Sequence, residues 1–512
     1  MLFAWFWAIL TWPRRAWAAI RTFYLPNPLP VKRLPNGKLT DELMPADAAE
    51  AFAMAETIGF PSDFMIGTAT AAYQVEGGLD NCNWAEWERN GRNGEHYAGK
   101  ACDVWNLFPE DIARMKSLGL RMYRFSVDWS RIEPIEGRFD DEALARYVGW
   151  CEMLHAAGIE PMVTLHHFAE PIWFDQKGGW TVRANVTCFE RFAAYAARKL
   201  APHCSYWCTI NELNGFAICG YLAGVHPPGI KDDLVMMLGA IRHLMLAHGR
   251  AAVVIRKASE GLTRKPTIAL PLSHICFMPA GFGLVSYLLP ALVNFLFNFA
   301  FHEAVVEGRL SPLVTAVFWL IGHRGLGADV AALKGTVDVI GVNHYYRSEV
   351  EFGFSAPAPA GGEKMSGPTD LFLRLPGGIL LRASPIPTFE KSDMGWDLTP
   401  SSMEWLLTAL WERFRLPLLV CESGIADGDI PDDRRTRYLA ACLAVAAKLR
   451  ARGVDLRGYL IWTLMDNFEW AEGFRPRFGI LRTDFADRSR HERSSTAMVR
   501  GVATRDEHGQ PV

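Results

Sequence analysis

The stretches WCTINE at residues 207–212 and LLVCESG at residues 418–424 decide the fold of this chain. Each is an apolar run of the kind that strands favour, and each reaches a glutamate, Glu212 or Glu422, just before the pattern breaks. In a barrel of parallel strands, a carboxylate at the carboxyl end of a strand points into the mouth of the barrel. The two stretches therefore predict two acidic groups that face a common space.

Eight apolar segments have the character of strands, and amphipathic helical segments separate most of them. The strand candidates are residues 63–68, 122–126, 161–166, 206–211, 267–272, 337–343, 418–421 and 458–463. The helix candidates are residues 111–118, 142–157, 189–200, 234–257, 403–414 and 434–452. Such alternation favours a parallel sheet with right-handed crossovers, and eight strands favour closure. We predict an α/β fold, a single (β/α)8 TIM barrel with an N-terminal apolar extension.

The first 25 residues differ from the rest of the chain. Residues 1–12 carry no charge and are rich in Trp and Phe, and Arg14, Arg15 and Arg21 follow them. A cleaved signal peptide has the reverse charge order, and the uncharged run is shorter than the roughly 20 residues that span a bilayer. We predict a membrane-interface helix within residues 1–25. The alternatives are a helix packed on the outside of the barrel and a disordered leader.

The remaining chain divides into a linker at residues 26–55, the barrel at residues 56–497 and a tail at residues 498–512. Residues 277–320 form a strongly apolar insertion, but Pro290 and the charged stretch at 302–309 interrupt it. It is therefore a poor membrane span. We predict a buried or half-buried helix near the barrel mouth. The alternative is an exposed apolar surface that meets a membrane or a lipid-like ligand.

The composition excludes some classes of function. The formal net charge of −3 provides no basic field, so we predict no nucleic-acid partner. The ten cysteines form no C-x-x-C pair, and several, such as Cys208 and Cys421, lie in apolar runs. This pattern favours buried reduced thiols over a disulfide framework. We predict a cytoplasmic location, with membrane association through residues 1–25 as the alternative.

Two carboxylates that face each other can cleave or form a glycosidic bond, and several further motifs surround them in sequence order. The motifs are residues 60–64 with 68–77, residues 123–132, residues 164–168, residues 211–212, residues 341–346, residues 421–423 and residues 462–474. In this order they resemble glycoside hydrolase family 1, the group of β-glucosidases and β-galactosidases. The resemblance runs from about Phe60 to about Arg493.

The resemblance implies a role for each carboxylate. Glu212 is implied to be the acid/base, which needs a pKa raised by burial and by the neighbouring carboxylate. Glu422 is implied to be the nucleophile of a retaining enzyme, in which the carboxyl groups lie about 5–5.5 Å apart. Arg124 would lie beside Glu422 and keep it ionised. Tyr345 would donate a hydrogen bond to Glu422.

The resemblance also implies a set of residues that contact the substrate: Gln74, His167, Asn211, Asn343, Tyr345, Trp396, Trp462, Glu469 and Trp470. An amide such as Gln74 can donate to one sugar hydroxyl and accept from another. Asn211 would bind the 2-hydroxyl in the transition state. Glu469 would bind the 4- and 6-hydroxyls, which disfavours a 6-phosphate. Trp396 would be the platform for the aglycone, the group that the sugar is attached to.

A few positions depart from the family's pattern. Ala169 stands where the family usually has Asp. Leu213 and Asn214 follow the acid where Pro and often Trp are usual, which implies a changed aglycone wall. Cys421 and Ser423 flank the nucleophile in place of the common Thr and Asn. These replacements leave both carboxylates in place.

We therefore predict a retaining β-glycosidase, in the first place a β-glucosidase. It would release terminal non-reducing β-D-glycosyl residues from a small-molecule β-glycoside by double displacement. No metal or organic cofactor is implied, because this chemistry needs none. The alternatives are a membrane-associated transglycosylase and a glycolipid-directed β-glycosidase. A receptor-like protein without activity is disfavoured because both carboxylates are present.

Overall fold

The computed structural model describes residues 30–34, 37–280, 284–354, 371–375, 379–384 and 388–506, together with residues 386, 508 and 510. The predicted membrane-interface helix at residues 1–25 lies outside the described residues.

Eight parallel strands close into a barrel. They are β1 (Met65–Ala69), β2 (Met122–Ser126), β3 (Glu160–His166), β4 (Tyr206–Ile210), β5 (Thr267–Ala269 and Leu272–Pro279), β6 (Ile340–Phe354), β7 (Leu418–Ser423) and β8 (Leu456–Trp462). Each strand pairs in parallel with the next, and β8 pairs with β1, which closes the ring. The predicted TIM barrel is confirmed.

Helices surround the barrel and return the chain from each strand to the next. They are α1 (Val104–Ser117), α2 (Asp141–Ala156), α3 (Val186–Leu200), α4 (Leu234–Ala258), α5 (Ala300–Glu307), α6 (Pro400–Phe414), α7 (Asp433–Ala451) and α8 (Ser494–Ala503). In α3, Phe189, Phe192 and Ala196 recur at helical spacing and are buried. The six predicted helices are confirmed. The helix α1 begins seven residues before its predicted start, and the other helix ends differ by at most three residues.

Shorter elements fill the loops between these strands and helices. The short helices are Ala48–Glu56, Ala72–Val75, Asn83–Arg89, Trp129–Ile132, Ile172–Gln176, Leu213–Ile218, Leu284–Asn294, Pro312–Leu320 and Leu326–Ala331. Single 3-10 or π turns occupy Gly179–Thr181, Arg183–Asn185, Cys219–Ala223, Phe295–Phe299 and Trp470–Glu472. Antiparallel pairs join Val31–Arg33 to Leu39–Asp41, Leu481–Thr483 to Arg490–Glu492, and Leu371–Leu375 to Ile379–Ser384, which also pairs with β6.

The fifth strand differs from the prediction because it is interrupted at residues 270 and 271. Pro271 has no N–H to give to a strand ladder. Its carbonyl oxygen instead accepts a hydrogen bond of 2.8 Å from the backbone N–H of Glu212. The break in β5 thereby fixes the backbone at the end of β4, where one of the two predicted carboxylates begins.

The chain ends also differ from the predicted division. Residues 30–56, most of which we interpreted as a linker, contain a strand pair and the helix Ala48–Glu56, which buries Ala51 and Ala55. Asp41 accepts hydrogen bonds from the backbone N–H and the hydroxyl of Ser401 at the start of α6. At the other end, α8 continues to Ala503, six residues past the predicted boundary at 497. The helix Ala48–Glu56, the strand pair before it and α8 therefore pack against the barrel.

The apolar insertion forms an arm at the barrel mouth. We define the mouth arm as Leu272–Pro279 of β5, the helix Leu284–Asn294 and the turn Phe295–Phe299. Leu288 and Leu292 are partly exposed, whereas Ala291 and Asn294 are buried. This arrangement confirms the predicted half-buried helix near the mouth.

Two helices among the described residues are long and apolar enough to cross a membrane, Leu234–Ala258 and Leu288–Glu307. The second range joins the end of the helix Leu284–Asn294, the turn Phe295–Phe299 and α5. In the apolar 18-residue window of each range, 72% and 61% of the residues are buried inside the protein, respectively. Such burial is typical of helices that pack in a protein core.

Gly67 of β1 permits the close approach of β2, and its replacement tests the barrel. A Cβ at this position would lie 2.1 Å from the carbonyl oxygen of Met122. We expect Gly67→Ala to lower the free energy of unfolding by about 2–3 kcal/mol, because a rigid backbone atom must move. Urea unfolding measures the change.

The matched control is Gly149→Ala in α2, where a Cβ meets nothing within 4 Å. That variant should gain about 0.5–1 kcal/mol from helix propensity. Equal stabilities of the two variants would contradict the tight β1–β2 contact.

Candidate active site

A cavity of about 470 Å³ opens at the carboxyl ends of the barrel strands. Nine predicted site residues line it: His167, Asn211, Glu212, Tyr345, Trp396, Glu422, Trp462, Glu469 and Trp470. The other three, Gln74, Arg124 and Asn343, are fully buried and hydrogen-bonded to residues of this lining. The structure thus brings all the predicted residues to one place.

Glu422, near the end of β7, is held by a cation and a hydroxyl. One Nη of Arg124 donates to its Oε1 at 2.6 Å, and the Tyr345 hydroxyl donates to its Oε2 at 2.7 Å. Burial raises the pKa of the Glu422 carboxyl above its ordinary value, while Arg124 and Tyr345 act in the opposite direction. Because a cation lies in direct contact, Glu422 is the carboxyl of this site whose charge is compensated.

Glu212 has a different environment. It follows β4 in the left-handed conformation, with φ of 45°, and this backbone turns its side chain into the cavity. Its Oε1 accepts a hydrogen bond of 2.8 Å from the amide of Asn343. Burial, followed by the repulsion of Glu422, raises the pKa of Glu212 to about 8. The raised pKa favours the protonated form of Glu212 at neutral pH.

A chain of polar contacts joins the two carboxylates. Arg124 donates from its second Nη to Asn211 Oδ1 at 2.6 Å, and Asn343 donates to the same oxygen at 3.0 Å. Arg124 Nε donates to Thr164 Oγ1 at 3.1 Å. The guanidinium on β2 therefore orients groups from β3, β4 and β7 at once.

His167 is a neutral donor at the wall of the cavity. The oxygen of Asn211 accepts from Arg124, so its NH₂ group faces His167 Nε2, at 3.2 Å. Nε2 is then the acceptor and Nδ1 carries the proton. Burial, and then the charge of Arg124, hold the pKa of His167 well below its usual range. The Nδ1–H group makes no hydrogen bond within the described protein.

Gln74 and Glu469 form a second polar group in the site. Gln74 Nε2 donates to the backbone oxygen of Phe468 at 2.8 Å and to Glu469 Oε2 at 3.2 Å. The Oε1 of Gln74 has no partner among the described residues. Burial and the charge of Glu422 raise the pKa of Glu469 to about 8. The raised pKa favours the protonated form of Glu469, in which its carboxyl, like the amide of Gln74, can donate and accept hydrogen bonds.

Aromatic rings form the walls between these polar groups. Trp470 has a φ of 49° and stacks against His167, with ring centroids 6.1 Å apart and planes at 16°. Trp462 stacks against the same imidazole at 5.8 Å. Trp396 stacks on Tyr346 at 4.9 Å, on the side of the mouth arm. Flat apolar walls with hydrogen-bonding edges suit a ring that is polar at its rim and apolar on its faces.

The unusual residues beside the motifs have partners of their own. Ala169 is followed by buried Glu170, whose Oε1 accepts from the Trp180 indole at 2.6 Å. Cys421 is fully buried, and its carbonyl oxygen accepts from Arg124 at 3.3 Å. Asn214 does not reach the cavity, because its amide pairs with the backbone of Ser273 in the mouth arm.

Three supporting residues lie inside quoted motifs but received no predicted role. Thr164 binds Arg124, Tyr73 stacks under Trp470 with centroids 6.0 Å apart, and Tyr346 lies under Trp396. Each is adjacent or close in sequence to a residue that the motifs identified. This proximity could have marked the three residues as candidates. It does not indicate which distant residue each of them contacts.

Among the described residues, no group of three or more His, Cys, Asp and Glu side chains could hold a metal ion. All ten cysteines are free thiols, and all but Cys219 are buried.

Comparisons with known proteins agree with this geometry. A model of glycosyl hydrolase family 1 matches residues 56–508. Beta-glucosidase A of Thermotoga maritima is 31% identical over 449 residues, which cover 84% of this chain and 94% of that protein. A 6-phospho-beta-galactosidase of Streptococcus equi subsp. zooepidemicus is 29% identical, with coverages of 86% and 97%. The solved family 1 β-glucosidase from Thermotoga maritima in complex with isofagomine lactam superposes with a TM-score of 0.78 at 28% identity, covering 88% of this chain and 99% of that one.

The coupling of the two carboxylates can be measured directly. In Glu422→Gln, we expect the pKa of Glu212 to fall from about 8 towards its ordinary value, because the Coulomb repulsion is removed while burial stays. A pH titration of ¹³C-labelled glutamate carboxyls by NMR measures the shift. The control is Glu472→Gln, which removes another carboxylate of the cavity lining that is not among the groups that shift Glu212. An unchanged pKa in Glu422→Gln would show that the two groups are not coupled.

Proposed function

The chain belongs to glycosyl hydrolase family 1 and is a glycoside hydrolase, and from this premise we propose that it is a β-glucosidase in which Glu422 is the nucleophile and Glu212 the acid/base. Its reaction is the removal of a terminal β-linked glucose with retention of configuration. The similarity to proteins named β-glucosidase supports the choice of sugar.

The observation that carries this assignment is the unequal environment of two buried carboxyls in one cavity. Glu422 contacts the cation of Arg124 at 2.6 Å, whereas Glu212 accepts a hydrogen bond of 2.8 Å from the neutral amide of Asn343. A nucleophile must be ionised and an acid must hold a proton at the same pH. The contact with Arg124 favours the ionised form of Glu422, and the pKa of about 8 favours the protonated form of Glu212.

In the first step, the Glu422 carboxylate attacks the anomeric carbon and forms a glycosyl ester. The bond to the leaving oxygen breaks at the same time, and Glu212 gives that oxygen its proton. Arg124 and Tyr345 keep Glu422 in one orientation, so the attack needs no rearrangement of the carboxylate.

In the second step, Glu212 acts as the base. Once Glu422 is esterified it carries no charge, and the repulsion that raised the pKa of Glu212 disappears. Glu212, now ionised, takes a proton from water as the water oxygen attacks the anomeric carbon. The ester bond breaks, the Glu422 carboxylate returns, and two inversions give net retention. The same electrostatic coupling thus serves both steps.

We assign the sugar contacts from the lining of the cavity and from Gln74, which is buried beside Glu469. The Nδ1–H of His167 and the free oxygen of Gln74 are a donor and an acceptor for hydroxyls, and Asn211 is oriented for the 2-hydroxyl. Glu469 is the partner of the 4- and 6-hydroxyls. Trp462 and Trp470 are the aromatic walls, and Trp396 is the platform for the aglycone.

A 6-phosphorylated sugar fits this lining poorly, although one relative is named for such a substrate. A phosphate dianion is bound by Arg or Lys side chains, by helix N-termini or by backbone N–H groups. Among the described residues that line the cavity, none is Arg or Lys. Glu469, which we assign to the 4- and 6-hydroxyls, would meet a 6-phosphate with a carboxyl group. We therefore propose a non-phosphorylated glycoside.

Membrane association depends on residues 1–25 and stays a prediction, as does the cytoplasmic location. Transglycosylation, with an acceptor in place of water, and a glycolipid substrate are the second candidates. The observation that favours these two candidates is the apolar mouth arm beside the cavity. Measuring glucose against glycosylated acceptor in the products separates hydrolysis from transfer.

The nucleophile is tested with 4-nitrophenyl β-D-glucoside. We expect Glu422→Ala to lose on the order of 10⁴-fold or more in kcat, because no ester can form. Azide, which fits the space left by the side chain, should restore turnover and yield the α-glucosyl azide. Glu212→Ala with a 2,4-dinitrophenyl glucoside should instead yield the β-azide, because Glu422 still forms the ester. A β-glucosyl azide from Glu422→Ala would instead show that Glu422 is the acid/base and Glu212 the nucleophile.

The pH dependence follows from the two ionisations. In the wild type, kcat/KM should fall as the pH rises through about 8, because Glu212 loses the proton that it must donate. It should also fall on the acid side, where Glu422 becomes protonated and can no longer attack. In Glu212→Ala, measured with the dinitrophenyl glucoside, the alkaline limb should vanish and the acid limb remain. An alkaline limb that survives this substitution would assign it to another group.

A further inference from the structure

We propose that the aglycone side of the cavity takes a hydrophobic group, an alkyl or aryl chain, against a wall that Ile275 and Phe297 of the mouth arm provide. This inference rests on the proposed function and specifies its substrate class. Both residues line the catalytic cavity, and neither belongs to a motif of the sequence.

The mouth arm is held in place by side chains that replace a neighbouring strand. Asn214 pairs through its amide with the backbone N–H and C=O of Ser273, at 3.1 and 2.8 Å. Asn298 does the same with Ile275, at 3.2 and 2.8 Å. Asn294 completes the series with Phe277, at 3.0 and 2.7 Å. These three amides, the asparagine ladder, meet alternate residues of one strand edge, so the wall is rigid before any ligand binds.

An apolar cluster, separate from the barrel core, connects the mouth arm with β6. Ile275, Phe277, Tyr346 and Val350 are buried in it, and Phe297 packs against them. Phe277 and Phe297 meet edge to face at 5.4 Å. The cluster joins strand and helix of the arm, which gives the wall a fixed shape.

The lining of the cavity on this side is mostly apolar. It includes Ile218, Cys219, Ala223, Val225, Ile275, Phe297 and Tyr346. Some of its polar atoms are engaged with the protein, whereas the Nδ1 atoms of His226 and His274 have no hydrogen-bond partner among the described residues. His274 Nε2 is hydrogen-bonded to His302 at 3.0 Å, and the backbone of Ser273 belongs to the asparagine ladder. His226 lies edge-on against Trp84 at 4.9 Å.

A second sugar would lose hydrogen bonds to water at this wall and regain few. An alkyl chain gains free energy from each methylene that leaves water. The asparagine ladder keeps the strand's own N–H and C=O groups from the ligand, so the wall offers the ligand side chains and not backbone polar groups. The site therefore favours chain length and apolar character in the aglycone.

The experiment measures kcat/KM for methyl, butyl and octyl β-D-glucosides, each below its micelle concentration. A glucoside with an oligo(ethylene glycol) chain of the same length as octyl is the polar control. We expect octyl glucoside to exceed methyl glucoside by about tenfold or more, since a fully buried methylene adds about fourfold. The polar chain should stay within about threefold of methyl glucoside. All of them leave as alcohols, so the ratio reports binding of the chain.

Ile275→Thr tests the wall itself. It keeps the β-branched shape of the strand residue and introduces a hydroxyl, and the octyl-to-methyl ratio should fall about fivefold. The matched control is Leu292→Thr, on the outer face of the same arm, which is 39% exposed and does not line the cavity. That variant should keep the wild-type ratio. Melting temperatures of both variants verify that the arm still folds.

The outcomes separate this inference from the proposed function. The enzyme could hydrolyse 4-nitrophenyl β-glucoside and yet show the same kcat/KM for methyl, butyl and octyl glucosides, or the same kcat/KM for the octyl and the polar chain. Either result overturns the hydrophobic aglycone and leaves the proposed function standing. An octyl preference that Ile275→Thr leaves unchanged overturns the assigned wall. Absence of hydrolysis of every glucoside overturns the proposed function and this inference with it.

Discussion

The ion pair between Arg124 and Glu422 is the interaction on which the site depends. The two groups meet at 2.6 Å with almost no exposure to solvent. A charge buried there without its partner would cost several kcal/mol, so each of the two requires the other. The remaining donors of Arg124 then orient Asn211 and Thr164, and its charge adds to the effect of burial in keeping His167 neutral. One guanidinium thus orients several side chains around it and contributes to their protonation states.

The barrel makes this arrangement possible because its strands bring distant parts of the chain to one end. Arg124 comes from β2, Asn211 follows β4, Asn343 lies on β6 and Glu422 on β7. The contacts among them cross up to 298 residues of sequence. Burial raises the pKa of both carboxyls, and the contacts of Arg124 and Tyr345 with Glu422 make their environments unequal. Chemical asymmetry therefore arises from topology and not from the type of residue.

Much of this was predictable from the sequence because strands and helices of a parallel barrel have strong periodic patterns. The eight strand positions followed from apolar runs, and the two carboxylates from their place at strand ends. The other residues of the site followed from the resemblance of the motifs to glycoside hydrolase family 1. The break at Pro271 and the ordered structure of residues 30–56 did not, since they depend on partners that are distant in the chain. The asparagine ladder could not be predicted from the sequence for the same reason. Asn294 and Asn298 appear in sequence only as polar residues within an apolar helix.

The asparagine ladder has a consequence for how the protein behaves in concentrated solution. A strand that extends beyond its barrel presents a free edge of N–H and C=O groups, and such edges pair with other chains and lead to aggregation. On Leu272–Pro279, amides from the same molecule occupy that edge at every second residue. A side-chain amide satisfies the backbone as a strand would, but it offers no further edge for another strand to join. The protein can thus carry an apolar arm at its surface with this edge closed to intermolecular sheet growth.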